Sequence, residues 1–158
     1  MTRKSKSPIL NFLRQSKGAV AVEFALIGTV FFLLVAGVID FGHAYYMKQA
    51  ITNASREGAR YGITWRGDSN GARVAANTFT PTISNYVLTS AGFNLRSLLP
   101  SDAAPAVTCT GSGYTGTTKG NPLTVRVTAV KHWFMISGFI PGMADTVTLT
   151  ASTVMLCE

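Results

Sequence analysis

The sequence predicts an α+β fold in which a long N-terminal transmembrane helix extends into a small exported domain with short helices and a small antiparallel sheet. Two observations predict it. Residues 19–39 form an almost unbroken apolar run, and the last third of the chain alternates apolar and polar residues as strands do. At about 1.5 Å per residue, a helix over the apolar run is roughly 30 Å long, which matches the hydrocarbon core of a bilayer. With 47% hydrophobic and 13% charged residues, the composition fits a membrane-anchored protein.

The first 18 residues form a basic leader peptide with five lysines and arginines and no acidic residue. A basic block before an apolar run indicates that the leader stays in the cytoplasm and that the following domain is exported. Nucleic-acid binding is the competing explanation of the pI of 9.8. We set it aside because the charge flanks a membrane helix, so no nucleic-acid partner is expected.

Glu23 is the only carboxylate in the apolar run. A carboxylate in a membrane helix is costly unless it meets a cation, so a lone one is a candidate for a specific role. If the chain were cut between Gly18 and Ala19, the new α-amino group would lie about one helical turn from Glu23. That amino group, or the one of a neighbouring copy, could then neutralise the carboxylate.

The same residues carry a family resemblance. Gly18 followed by Val22-Glu23-Phe24 resembles the processing site of type IV prepilins. The longer stretch, residues 18 to about 62, resembles the TadE-like family, minor pilins or pseudopilins of the tight-adherence (Tad/Flp) pilus systems. Besides the processing site, Ala54 and the segment Glu57-Gly58-Ala59-Arg60-Tyr61 carry most of the specificity. The chain departs from the pattern at Gly28-Thr29, where many members have a proline.

The resemblance implies a function and a set of partners. Members are described as cleaved by a dedicated prepilin peptidase and as needed for pilus assembly, adhesion or secretion. It therefore implies a single-pass protein of the bacterial inner membrane with a cytoplasmic N-terminus and a periplasmic C-terminal domain, which can enter an extracellular pilus. The implied partners are the prepilin peptidase, other pilins or pseudopilins of the Tad system, the inner-membrane assembly platform and membrane lipid.

The alternative is a signal-anchored or secreted envelope binding domain that is not part of a pilus. A secretory signal also begins with a basic region and an apolar core, and cleavage near residues 42–44 would release a soluble domain. The apolar stretch 24–39 is long for such a signal, and Glu23 is an acid where a signal tolerates one poorly. Cleavage after Gly18 separates the two interpretations.

Beyond the apolar run, polar and apolar residues keep a helical spacing, so we expect the helix to continue to about Tyr61. Gly62 and the polar cluster at residues 66–71 would end it. Asp40 is interpreted as marking the membrane exit. The predicted organisation is thus a leader at residues 1–18, a transmembrane and extended helix at 19–62, and an exported α+β domain at 63–158.

Three charged residues on the extended helix, Arg56, Glu57 and Arg60, have two interpretations. They could form only a solvated helix face, because pairs at such spacing contribute a few tenths of a kcal/mol. The functional interpretation is that they contact other subunits or the chain's own domain, and the family resemblance favours it.

Residues 71–99 are predicted to form helix in two pieces. Residues 72–79 are compatible with the first piece. The second would begin with Thr80 as N-cap and Pro81 at its first position, and would bury Ile83, Tyr86 and Val87.

The last third is predicted to be a three-stranded sheet, with strands near residues 107–109, 123–129 and 147–155. Three strands are stable only when packed, so we expect them to cover the exposed half of the long helix, as in a pilin-like lollipop. Cys109 and Cys157 are the only cysteines, and in an exported domain an even count favours a disulfide. The open alternative is two buried thiols in neighbouring strands.

No convergent catalytic set is visible in the sequence, so we expect neither an enzyme nor a cofactor. Residues 111–116 match a dinucleotide-binding fingerprint by letters, but no acid lies about 20 residues on, and we interpret them as a turn. His43 and His132 are far apart and lack a nucleophile context. No metal site is expected either, because the cysteines lack ligand partners at short spacing.

Overall fold

The computed structural model describes residues 8–89 and 92–158, with side chains described from residue 18 onward. The first seven residues of the predicted leader and the side chains of residues 8–17 lie outside the described part. The chain divides into two compact units, Met1–Ile39 and Asp40–Glu158. The predicted α+β fold with a long N-terminal helix and a small antiparallel sheet is confirmed.

The elements follow one another in a simple order. Helix α1 spans Pro8–Ile63. Two short helices, α2 (Ile83–Leu88) and α3 (Leu95–Leu98), precede the first strand in the chain. Two more, α4 (Ser112–Thr115) and α5 (Ile136–Phe139), lie between consecutive strands. The strands are β1 (Ala106–Thr110), β2 (Pro122–His132) and β3 (Thr146–Leu156). Single 3₁₀ turns cover Ala76–Thr78 and Ser101–Ala103.

In the first unit, helix α1 exposes its apolar side chains. Phe24 is 76% exposed and Phe32 is 71% exposed, and most large hydrophobic residues between them are similarly open. The helix is long and apolar enough to cross a membrane. Such a surface is stable in lipid, whereas in water it would be a large exposed apolar area.

In the second unit, the sheet has the order β1-β2-β3 with antiparallel pairing throughout. Central strand β2 alternates strictly, and its inward side chains Leu123, Val125, Val127 and Ala129 are at most 1% exposed. They pack in one core with apolar residues of α1, α2 and α3, among them Met47, Ile51, Ala54, Ile83, Val87 and Leu95. The expected three strands and their core faces are confirmed.

Helix α1 lies close to this core at two glycines. A Cβ atom at Gly58 would meet Val87 Cγ2 at 2.7 Å and Val125 Cγ1 at 3.3 Å. A Cβ atom at Gly62 would overlap the side chains of Leu123 and Ile83. The glycines therefore let the helix backbone approach the sheet and α2.

Residues 71–99 differ from the prediction. Residues 72–79 contain no α-helix and only the 3₁₀ turn Ala76–Thr78. Just before them, Asp68 Oδ1 accepts hydrogen bonds from Asn70 N and Ala72 N at 2.8 Å and holds residues 68–72 in a turn. The next helix begins two residues later than expected, with Thr82 rather than Thr80 as N-cap; its Oγ1 accepts from Asn85 N at 3.2 Å. The predicted buried residues Ile83 and Val87 are buried, and Tyr86 is half-buried.

The predicted end of helix α1 is confirmed within about two residues, since the helix ends at Ile63. Its beginning differs, because α1 extends back to Pro8 through the second half of the leader. The fingerprint at residues 111–116 lies between β1 and β2 and contains the single helical turn α4.

Candidate functional site

The predicted processing residues lie on the exposed part of helix α1. Gly18, Ala19 and Glu23 are helical and exposed, and a Cβ atom at Gly18 would have no neighbour within 4 Å. No described side chain forms an ion pair with Glu23. Among the side chains described from residue 18 onward, the Glu23 carboxylate thus has no cation beside it in an apolar helix surface, where a neighbouring positive charge would be most favourable.

Arg56, Glu57 and Arg60 are only partly brought together. Glu57 and Arg60 line the same open cleft of about 430 Å³, with Tyr61 and Tyr86 among its other walls. Arg56 is exposed and is not part of the lining. Two of the three residues therefore line one cleft, and Arg56 is a separate exposed charge.

Hydrogen bonding and stacking organise this cleft. Tyr86 donates its hydroxyl hydrogen bond to Glu57 Oε1 at 3.3 Å, and burial, followed by the Glu57 charge, raises the pKa of Tyr86. The rings of Tyr61 and Tyr86 stack at 4.0 Å, and the Arg66 guanidinium lies 4.4 Å from the Tyr61 ring centre. The cleft thus combines an aromatic wall with the Glu57 and Glu158 carboxylates and the Arg60 guanidinium, groups that can accept a charged side chain of another protein.

A buried polar centre forms around Asp40. One carboxylate oxygen of Asp40 accepts from Phe134 N at 2.9 Å, and the other accepts from Met135 N and Ile136 N, each at 3.0 Å. Lys131 Nζ lies 3.4 Å from Oδ1, and both side chains are fully buried. The carboxylate thus fixes the chain after β2 to the first residue beyond the apolar run.

The charge state of this centre follows from its contacts. Burial raises the pKa of Asp40, but the three backbone N–H donors and Lys131 outweigh it and lower the pKa to about 2. His43 lies beside the centre with its ring 5.0 Å from that of Phe134, and its buried Nδ1 has no described hydrogen-bond partner. Burial, then the Lys131 charge, lowers the pKa of His43.

The Asp40 centre is not apparent from the sequence, in which Asp40 marks only the end of the apolar run. A signal was present: the inward alternation of β2 continues from Ala129 to Lys131, which places a lysine on a buried face. A buried lysine requires an acidic partner. The register alone does not say which acid it meets.

The structure does not bring Cys109 and Cys157 together, and both are free thiols. Cys109 on β1 pairs with Val125, and Val125 pairs with Thr153 on β3. Cys157 lies four residues beyond Thr153, after strand β3, and β3 is not a neighbour of β1 in the sheet. Cys157 Sγ donates instead to Gly113 O at 3.5 Å, and burial raises the pKa of Cys109 to about 11. The expected disulfide is therefore not formed.

The described residues hold no cluster of three or more histidine, cysteine, aspartate or glutamate side chains that could bind a metal ion. His43 lies beside the Asp40 centre, whereas His132 is exposed at the end of β2.

An exposed apolar helix, followed by a small α+β domain whose core is built on the rest of that helix, is compatible with the class of single-helix membrane-anchored proteins. Residues 18–60 match the family model of the TadE-like protein, which confirms the resemblance over this segment. The match begins at Gly18 and ends at Arg60. Together with the apolar helix, it fits a membrane protein associated with the Tad pilus. No match was found among curated proteins or solved structures.

Proposed function

We propose that the chain is a minor pilin or pseudopilin of a Tad system. Residues 19–39 anchor it in the inner membrane, a prepilin peptidase cleaves it between Gly18 and Ala19, and it takes part in pilus assembly, adhesion or secretion. The observation that carries the proposal is Glu23, a lone exposed carboxylate in the apolar helix surface, four residues after Ala19 and within the TadE-like match.

Cleavage requires the helix to open locally at Gly18. A glycine within a helix is about 1 kcal/mol less favourable than alanine, so this position extends into a protease site at low cost. The cut converts a peptide nitrogen into the α-amino group of Ala19. The chain is in this respect a peptidase substrate and not itself a catalyst.

After cleavage, electrostatic attraction favours an ion pair between the new amino group and Glu23. Each is costly in an apolar environment alone, and pairing offsets part of that cost. The pair forms within one chain, or between Glu23 and the amino group of an adjacent subunit. The second arrangement specifies the axial position of one helix against the next, because an apolar surface alone permits sliding.

The remaining surfaces supply the other contacts. The exposed apolar side chains of residues 20–39 contact lipid before assembly and pack against other pilin helices afterwards. The cleft with Glu57 and Arg60, and the exposed Arg56, receive charged residues of neighbouring pilins or of the assembly platform. The domain is periplasmic, and the leader is cytoplasmic.

The test compares Glu23→Gln with Thr29→Val in cells that make Tad pili. Gln keeps the size of the side chain and removes its charge. Thr29 is an exposed neighbour whose hydroxyl donates to Ala25 O, within the same helix, at 2.8 Å, so its replacement is the matched control. We expect the Glu23 variant to be processed and stable but to lose pilus assembly, while the control assembles normally. Normal assembly by a stable Glu23→Gln protein would rule out the pairing role.

A further inference from the structure

The segment between β2 and β3 exposes an unusual amount of apolar surface. In residues 133–143, here called the Phe134 loop, Phe134 and Phe139 are each 60% exposed, Met135 is 48% exposed and Ile140 is 44% exposed. The loop contains no charged residue. Soluble surfaces scatter such side chains, so a contiguous group of them indicates an interaction site.

Backbone hydrogen bonds and an aromatic contact fix the conformation of the Phe134 loop. Its first residue, Trp133, donates a backbone hydrogen bond to Asp145 O at 3.0 Å, which closes the base of the loop. The next three N–H groups all donate to the Asp40 carboxylate. The ring of Trp133 packs edge-on against Phe41 at 5.6 Å, and Phe41 is itself 59% exposed.

These contacts fix the loop to α1 at residues 40 and 41. The apolar run of α1 ends at Ile39, so Asp40 is the first residue past the segment that spans the bilayer. The headgroup region begins where the hydrocarbon core ends and is several ångströms deep on each side. A loop attached to Asp40 through its backbone is therefore at the depth of the membrane surface.

We propose that the Phe134 loop, together with Phe41, inserts into the surface of the bilayer that residues 19–39 span. Tryptophan and phenylalanine are favoured at this depth, and an uncharged loop loses little solvation there. The membrane surface is the occupant that this position selects, because Asp40, which holds the loop, directly follows the apolar run in the sequence. The inference rests on the membrane anchoring in the proposed function but not on cleavage at Gly18 or on pilus assembly.

The polar centre beneath the loop has a role in this contact. Asp40 satisfies three backbone N–H groups that would otherwise face the apolar interface unpaired, and Lys131 balances its charge. The loop can therefore present side chains to lipid without presenting its backbone donors.

The two tryptophans allow a direct test. Trp133 lies in the loop, whereas Trp65 follows the end of α1, about 36 Å along the helix from Ile39 at 1.5 Å per residue. The full-length chain is reconstituted in phosphatidylethanolamine and phosphatidylglycerol vesicles as Trp65→Phe, which leaves Trp133, and as Trp133→Phe, which leaves Trp65. Lipids brominated near the headgroup then serve as the quencher.

We expect brominated lipid to remove most of the Trp133 emission and to leave the Trp65 emission unchanged. Adding Phe134→Ser and Phe139→Ser to the Trp65→Phe chain should restore Trp133 emission, and circular dichroism checks that this variant is folded. Equal quenching of the two tryptophans would overturn the proposal. The proposal would also be overturned if Trp133 emission changed with the protein-to-lipid ratio and not with brominated lipid. A second copy of the chain would then cover the loop. Neither result bears on processing at Gly18, which uses different residues.

Discussion

Lys131 and Asp40 form an ion pair that is wholly removed from solvent, with Nζ and Oδ1 3.4 Å apart. It links the end of the central strand to helix α1 across 91 residues of sequence. Because the Asp40 carboxylate also accepts three backbone hydrogen bonds, it joins strand, loop and helix at one point. The stability of the domain should depend on this point more than on any surface charge.

Asp40→Asn should strongly destabilise the domain. The substitution leaves the Lys131 charge buried without a counter-ion, and removing one partner of a buried pair costs about 3–5 kcal/mol. Asp145→Asn is the control, because Asp145 is exposed and such changes stay within about 0.5 kcal/mol. Chemical unfolding of the full-length chain in detergent measures both.

The double variant Asp40→Asn with Lys131→Met tests the pairing itself. It should lose less stability than the sum of the two single variants, because the methionine removes the unpaired charge. Strict additivity of the two single losses would show that the pair does not interact.

The domain should lose stability in acid through Asp40. Its folded-state pKa, about 2, lies below the ordinary value of 3.8. A group with a depressed folded pKa contributes stability above its unfolded pKa and loses that contribution as pH falls through the folded value. We expect the loss between about pH 5 and pH 2, with a size on the order of 2 kcal/mol. The free energy of unfolding of Asp40→Asn should depend less on pH over the same range. If its pH dependence equals that of the unsubstituted chain, other carboxyl groups cause the loss of stability in acid.

Gly58→Ala should destabilise the domain although alanine favours helix. The new Cβ would lie 2.7 Å from Val87 Cγ2, and overpacking of this kind costs about 1–3 kcal/mol. Gly42→Ala is the matched control, since Gly42 is in the same helix and its Cβ would meet nothing within 4 Å. That control should gain up to about 1 kcal/mol. Thermal unfolding of both variants checks the sign, and a stabilised Gly58→Ala would contradict the close approach of helix and sheet.

Cys109 and Cys157 should remain free thiols in the folded protein. Alkylation of the unfolded chain should label both without prior reduction, and labelling of the folded chain should be slow. Burial of Cys157 restricts access, and the raised pKa of Cys109, about 11, leaves little thiolate at neutral pH. A chain lighter by two hydrogens under non-reducing conditions would instead show that the strands pair differently.

Much of this architecture could be predicted from patterns of apolar residues, which reflect the removal of apolar side chains from water. The apolar run and the alternation of β2 are repeated over many residues, so they predict the long helix and the inward faces of Leu123 and Val125. Structure that is determined by a single local contact was harder to predict from the sequence. Asp68 holds residues 68–72 in a turn through its side chain, and Thr82 replaces Thr80 as the cap.

The Asp40 centre depends on tertiary contact and could be predicted only in part. The period of β2 places Lys131 inside, but the partner lies on another element, and three of its four donors are backbone groups that sequence letters do not mark. The separation of Cys109 from Cys157 depends in the same way on strand order. A sheet with β1 beside β3 would have brought the cysteines closer.

The most direct test of the proposed function is the intact mass of the membrane-extracted protein from cells with and without their prepilin peptidase. With the peptidase, we expect a mature chain that begins at Ala19, and without it the full-length chain. Full-length protein in both strains, or a chain cut beyond Ile39, would contradict the assignment as a processed pilin and favour a signal-anchored or secreted envelope domain.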